Sequence, residues 1–143
     1  MKACVIDASV AVAWYIPEKH HEPAVRLLGL ARSGAVEFHV PDLMYCEAGS
    51  VLWKRVRLGE LTEQEAAEIA AALLAVPKTV HSSAMLLPSA LKTACLSGRS
   101  AYDCFYLALA AFLGSTVITA DMKLVNALAG TPWQQSVVPI QAL

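Results

Sequence analysis

The sequence predicts an α/β fold: a three-layer sandwich in which a mostly parallel, five-stranded sheet (four to five strands by pattern) carries helices on both faces, all within one domain spanning residues 1–143. Three observations carry this expectation. Short apolar or β-branched runs alternate with helix-period segments along the whole chain, the order that builds parallel sheets through helical crossovers. A length of 143 residues suits one domain with a sizeable core. The two runs that look most buried, Ala3–Ile6 and Thr116–Thr119, each lead directly into an acidic residue, Asp7 and Asp121.

Taken in order, Ala3-Cys4-Val5-Ile6 is the first buried strand, followed by a mostly apolar segment from Ser9 to Ile16 that stops at Pro17. A helix follows over about His20 to Arg32, because Ala24, Leu27, Leu28 and Ala31 fall at i, i+3, i+4 and i+7. Ser33-Gly34 ends it, and Glu37-Phe38-His39-Val40 reads as a second strand closed by Pro41-Asp42. The next helix runs to about Arg57 with Met44, Ala48, Val51 and Leu52 on its buried side, Glu47 beside that stripe and Gly59 as its stop. Thr62-Glu63-Gln64-Glu65 is a capping-box sequence opening a helix from Glu63 to Ala75. Lys78–His81 is a weak third strand. A helix over Ala84 to Leu96 has an open start, since Pro88 can move it a turn later. Ser100 opens an apolar helix to Leu113, Thr116–Thr119 is a β-branched strand, Asp121 to Ala129 is a short helix, and Val137-Val138 is an edge strand beside Pro139.

Composition narrows the function classes. Hydrophobic residues make up 57% and charged ones 16%, against roughly 25% charged in an average soluble protein. No run supplies the ~20 unbroken apolar residues that a spanning helix needs, so the expectation is no membrane and an apolar surface patch kept for a partner. Asp7 interrupts what would otherwise resemble a signal-peptide core, which points to a cytoplasmic protein. The four cysteines, Cys4, Cys46, Cys95 and Cys104, form no C-x-x-C pair and read as small buried hydrophobes. A net charge of −1 does not announce a nucleic-acid binder, so phosphate contacts rest on local cations: Lys54, Arg55, Arg57, Arg99 and Lys123.

The informative residues are four carboxylates. Asp7 and Asp121 leave their strands at the same carboxyl edge, and if those strands are neighbours the edge between them is the topological switch point where α/β proteins bind ligands. From Ala101 to Leu113, Asp103 is the single residue charged at neutral pH. It is expected to be buried, although it also stands where a Ser100 N-cap would place the third residue of a capping box. Glu47 gains weight from the company of the other three. Ser9 and Thr119, each two residues from an aspartate, supply hydroxyls able to orient carboxylates. Two carboxylates about 4 Å apart repel by roughly 4 kcal/mol at an effective dielectric of 20, so a chain that gathers several supplies a cation. An all-oxygen set suits Mg²⁺ or Mn²⁺ and not zinc, and such a site activates water for attack on a phosphoryl group. There is no glycine-rich phosphate loop and no nucleophilic Ser or Cys with a His partner.

Together, Asp7-Ala8-Ser9-Val10 after a first strand, Pro41 to Glu47 leading a helix, Ser100-Ala101-Tyr102-Asp103 ahead of an apolar helix, and Thr119-Ala120-Asp121 after a strand resemble the PIN-domain ribonucleases. The length and the Trp14-Tyr15-Ile16-Pro17-Glu18 segment are most similar to the VapC-type toxins within that family. The resemblance implies a PIN-like parallel sheet, a homodimer, and a Mg²⁺- or Mn²⁺-dependent endoribonuclease acting on RNA and held inactive by a cognate antitoxin. It implies Asp7, Glu47, Asp103 and Asp121 as catalytic and metal-holding residues, with Ser9 and Thr119 as their hydroxyl companions. Ala13, where relatives often carry a basic residue, and Met122, where polar residues are common, depart from the pattern. Two competing readings stay open: a catalytically silent scaffold of the same fold, and an Asp7-nucleophile phosphatase of another α/β class, for which Ser9 stands where a second aspartate is needed.

Overall fold

The computed structural model describes residues 2–143. Its sheet has five strands, β1 (Lys2–Ile6), β2 (Val36–Pro41), β3 (Thr79–His81), β4 (Val117–Thr119) and β5 (Val137–Pro139), in the order β3-β2-β1-β4-β5. All four pairings are parallel. The chain moves from β1 to β2 on one side and later places β4 on the other, so the β1/β4 boundary is the switch point that the two Asp-terminated strands require. Pro139 lies in the outermost strand, where a missing N–H breaks no ladder.

The helices are α1 (Ala8–Ala13), α2 (His21–Arg32), α3 (Leu43–Arg57), α4 (Glu63–Ala75), α5 (Ser83–Ser97), α6 (Ala101–Leu113) and α7 (Met122–Leu128). They cover both faces of the sheet: α1 packs with α2, α3 and α4, while α6 packs on β1, β2 and β4 and carries α5 behind it. Trp14, at the end of α1, stacks on Phe38 of β2 with ring centroids 5.2 Å apart, which anchors α1 to the sheet. The predicted stripes hold: Ala24, Leu27 and Leu28 are buried on α2, and Met44, Ala48 and Leu52 on α3. The capping box of α4 forms in both directions, Glu65 N–H to Thr62 Oγ1 and Thr62 N–H to Glu65 Oε1.

Two details differ from expectation, the exposure of two cysteines and that of Asp103. Helix α5 begins at Ser83, one residue before the expected Ala84, and runs through Pro88. Pro88 and Ala84 both lie on the exposed side, so the Ala84 carbonyl, which loses its helical donor, can turn to water. Cys4 and Cys104 are buried as expected, but Cys46 and Cys95 are exposed. Helix α6 is buried through its middle, from Tyr106 to Ala110, yet Asp103 sits at its open first turn with a side chain 25% exposed.

Candidate active site at the carboxyl edge of the sheet

Asp7 is the best-defined member of the site. The register Val5↔Val117, Ile6↔Ile118 puts Asp7 level with Thr119 on the adjacent strand. Thr119 Oγ1 donates to Asp7 Oδ2, and Ser9 Oγ donates to Asp7 Oδ1. Each hydroxyl also accepts a backbone N–H from the turn after β4: Ala120 N–H reaches Ser9 Oγ at 2.9 Å and Asp121 N–H reaches Thr119 Oγ1 at 2.9 Å. With their acceptor sites engaged in this way, both hydroxyls point their protons at the carboxylate. Asp7 Oδ1 further accepts the Val10 N–H at 3.3 Å as N-cap of α1.

Even so, burial dominates. Asp7 is 8% exposed, and its carboxyl is pushed up from 3.8 to about 6, by desolvation first, against the pull of Ser9, Thr119 and Val10, with the nearby Asp121 adding to the rise. An Asp7 nucleophile is disfavoured by this geometry, since both oxygens are engaged and the group is buried. Asp121 is the N-cap of α7, accepting from Lys123 N–H at 3.0 Å and Leu124 N–H at 3.4 Å.

Glu47 and Asp103 form a second pair. Glu47, half-buried in the second turn of α3, has its carboxyl raised by burial, with Asp103 raising it further and a hydrogen bond from Tyr106 opposing. Asp103 N–H is capped by Ser100 Oγ at 3.2 Å. No capping box closes, because the Asp103 carboxylate turns instead to Arg99, Oδ2 to Nη2 at 3.0 Å. Tyr106, one turn beyond Asp103, joins the two pairs. Its hydroxyl donates to Glu47 Oε1 at 2.5 Å, and the phenol feels the charges of both Glu47 and Asp7.

The structure therefore brings the predicted residues to one edge as two pairs, Asp7 with Asp121 and Glu47 with Asp103. Among the described residues, no three carboxylates stand close enough together to form a ready-made cage for an ion. The donor set nonetheless fits a hard divalent cation: it is all oxygen, Asp121 raises the proton affinity of Asp7 and Asp103 that of Glu47, and among the described residues the most buried of them is held by neutral hydroxyls with no positive partner. Of the cations picked out by sequence, Arg55 is engaged by Glu18 and Glu60, Arg57 lies over Trp53 at 4.9 Å, and Arg99 is the one bound to the site. Sequence reasoning missed Tyr106. A phenol within an apolar helix gives no signal beyond core, although its i+3 spacing from Asp103 places both on one face.

A doubly wound parallel α/β domain with an acidic site at its switch point is the class that these features define. The PIN domain family matches residues 4–127, and the chain belongs to that family. It is 39% identical over 122 residues to Ribonuclease VapC3 of Pyrobaculum aerophilum, covering 84% of this chain and 90% of the relative. Among solved structures it is similar in fold to the Pyrobaculum aerophilum protein PAE2754, with a TM-score of 0.71 and 23% identity over 99% of this chain and 85% of that one. It is also similar in fold to the sarcin–ricin-loop-cleaving toxin VapC20 of Mycobacterium tuberculosis, with a TM-score of 0.64 and 20% identity over 90% and 95% of the two chains. FitAcB of Neisseria gonorrhoeae follows at 0.53 and 18% identity, over 98% and 99%. No helix among the described residues is long and apolar enough to cross a membrane.

Proposed function

We propose that the protein is an endoribonuclease dependent on Mg²⁺ or Mn²⁺, the toxin of a toxin–antitoxin pair acting on RNA in the cytoplasm, and that residues 1–143 act as one catalytic domain. The observation that supports this reading is the pairing of Asp7 with Asp121 where β1 and β4 end, together with a second acidic pair, Glu47 and Asp103, linked to Asp7 through Tyr106. The 39% identity to a VapC ribonuclease supports the RNA substrate and the toxin role.

The four carboxylates would hold the divalent ion, which when bound polarises a phosphoryl oxygen and lowers the pKa of water for in-line attack. Ser9 and Thr119 fix both oxygens of Asp7, so the carboxylate meets its ligand without first reorganising. Burial that disfavours bare Asp7 anions favours a bound cation by the same electrostatics. Arg99, held at the edge of the site by Asp103, is the cation placed to meet a phosphate.

A homodimer belongs to the proposal, and α5 supports it. That helix has one charged residue, Lys92, and buries just Leu86 and Ala90, while Met85, Leu87, Leu91 and Leu96 are each more than half exposed. Large apolar side chains clustered on an exposed helix mark a contact surface, so this helix suits a second copy. Leu91→Glu should convert a dimer to monomer in sedimentation, and a wild-type monomer at all concentrations would refute this assignment.

The decisive experiment for the activity is cleavage of RNA by purified protein with Mn²⁺ or Mg²⁺. Cleavage should stop with EDTA and should be lost in Asp103→Asn while circular dichroism stays unchanged. Cleavage by that variant at the wild-type rate would overturn the roles assigned.

A further inference from the structure

We infer that Tyr106 is a positioning residue that aims Glu47 at the divalent ion, because its phenol, buried between α6, α3 and the β1–α1 junction, holds one Glu47 oxygen and leaves the other free. The inference rests on the metal-dependent reading above and assigns a role to a residue outside the acidic quartet.

Tyr106 is 3% exposed, and a buried phenol needs a hydrogen-bond partner. It finds one in a carboxylate on another helix, Glu47 Oε1 at 2.5 Å, and the Ala8 N–H also faces the phenol oxygen. Ala8 directly follows Asp7, so this one hydroxyl touches the elements that carry Glu47 and Asp7 while sitting on the helix that carries Asp103. Asp103 and Tyr106 are one turn apart on α6, and a straight helix fixes their separation. The same rigid element thus presents one carboxylate itself and sets the direction of a second. Glu47 has no other side-chain hydrogen-bond partner among the described residues, so the phenol is the polar contact that selects its rotamer. Engagement of Oε1 fixes the carboxylate plane, with Oε2 carrying no hydrogen bond of its own. Groups that orient a metal ligand in this way change affinity by about 10–100-fold when removed.

The test is calorimetric titration with Mn²⁺ alone, without RNA, on the wild-type protein, Tyr106→Phe, Glu47→Gln and the double variant, each checked for folding by near-ultraviolet circular dichroism. Tyr106→Phe should weaken Mn²⁺ binding by about 10–100-fold, and should add nothing further in the Glu47→Gln background. Wild-type affinity in Tyr106→Phe overturns the inference. So does an equal loss in both backgrounds, which would mark a general structural effect not transmitted through Glu47. Where Tyr106→Phe fails to fold, Glu47→Asp replaces it: shortening the side chain withdraws the carboxylate from the phenol while keeping its charge, and undiminished affinity would overturn the inference. A wild-type protein that binds no Mn²⁺ overturns the metal-dependent function itself, an outcome separable from failure of the Tyr106 role alone.

Discussion

The two carboxylate pairs of this site are built by different physics. Asp7 sits at the end of a central strand, and among the described residues every group that donates to it is neutral: two hydroxyls and one backbone N–H. Asp103 sits at an open helix start and is met by a full positive charge, Arg99, across a partly exposed i,i+4 pair. The buried carboxylate is rigid and electrostatically unpaid, whereas the exposed one is compensated and able to let its partner go. A cation gains most beside Asp7, where burial penalises the anion and no positive side chain among the described residues relieves it.

The largest expected effect follows from removing the unpaid charge. Asp7→Asn should lower RNA cleavage by at least about 100-fold, since losing a ligand exceeds the loss of a group that merely orients one. It should also flatten the dependence of stability on pH. Because the folded carboxyl lies at about 6 against an ordinary 3.8, the folded state binds more protons between these values. For metal-free protein, this group therefore lowers stability as pH rises through that window, by roughly 3 kcal/mol when fully ionised above it. Thermal melts of metal-free wild type between pH 4 and 7 should show this contribution, and melts of Asp7→Asn should lack it.

A smaller effect should come from Thr119→Val, which keeps the shape and removes one hydroxyl. It leaves Asp7 Oδ2 without its donor and Asp121 N–H without its acceptor. Urea denaturation should show a loss of about 1–3 kcal/mol, and cleavage should fall by about 10-fold.

Arg99→Gln, on the other pair, should cost less. A partly exposed i,i+4 ion pair contributes about 0.3–0.5 kcal/mol. Since Arg99 competes with a cation for Asp103 Oδ2, its removal should tighten Mn²⁺ binding a few-fold, an effect of about 1 kcal/mol, even as RNA affinity drops. If Arg99→Gln outweighed Asp7→Asn in every assay, the contrast between the pairs would be inverted.

How much of this was legible in the sequence divides along the same line. Asp7 and Asp121 were readable because a carboxylate ending an apolar strand has few roles other than a site, and the strand order then fixed their meeting at the switch point. The hydroxyls Ser9 and Thr119 followed from their spacing to those aspartates, and the structure joins both to Asp7. The α4 cap was legible for a local reason, as its two hydrogen bonds lie within four residues. The partners of Asp103 and Glu47 were not legible. Whether a carboxylate closes a capping box or turns to Arg99 depends on rotamers, and the link from Tyr106 to Glu47 spans 59 residues. Exposure of Cys46 and Cys95 was also hidden, because apolar neighbours in sequence do not reveal which helix face meets the sheet.

The most direct test of the central claim is anomalous diffraction from crystals grown with Mn²⁺. One or more ions should lie at the carboxyl edge between β1 and β4, with oxygens of Asp7, Asp103 and Asp121 at about 2.0–2.6 Å from the metal and Glu47 facing it directly or through water. Manganese bound elsewhere, with these carboxylates left out of its coordination, would contradict that claim.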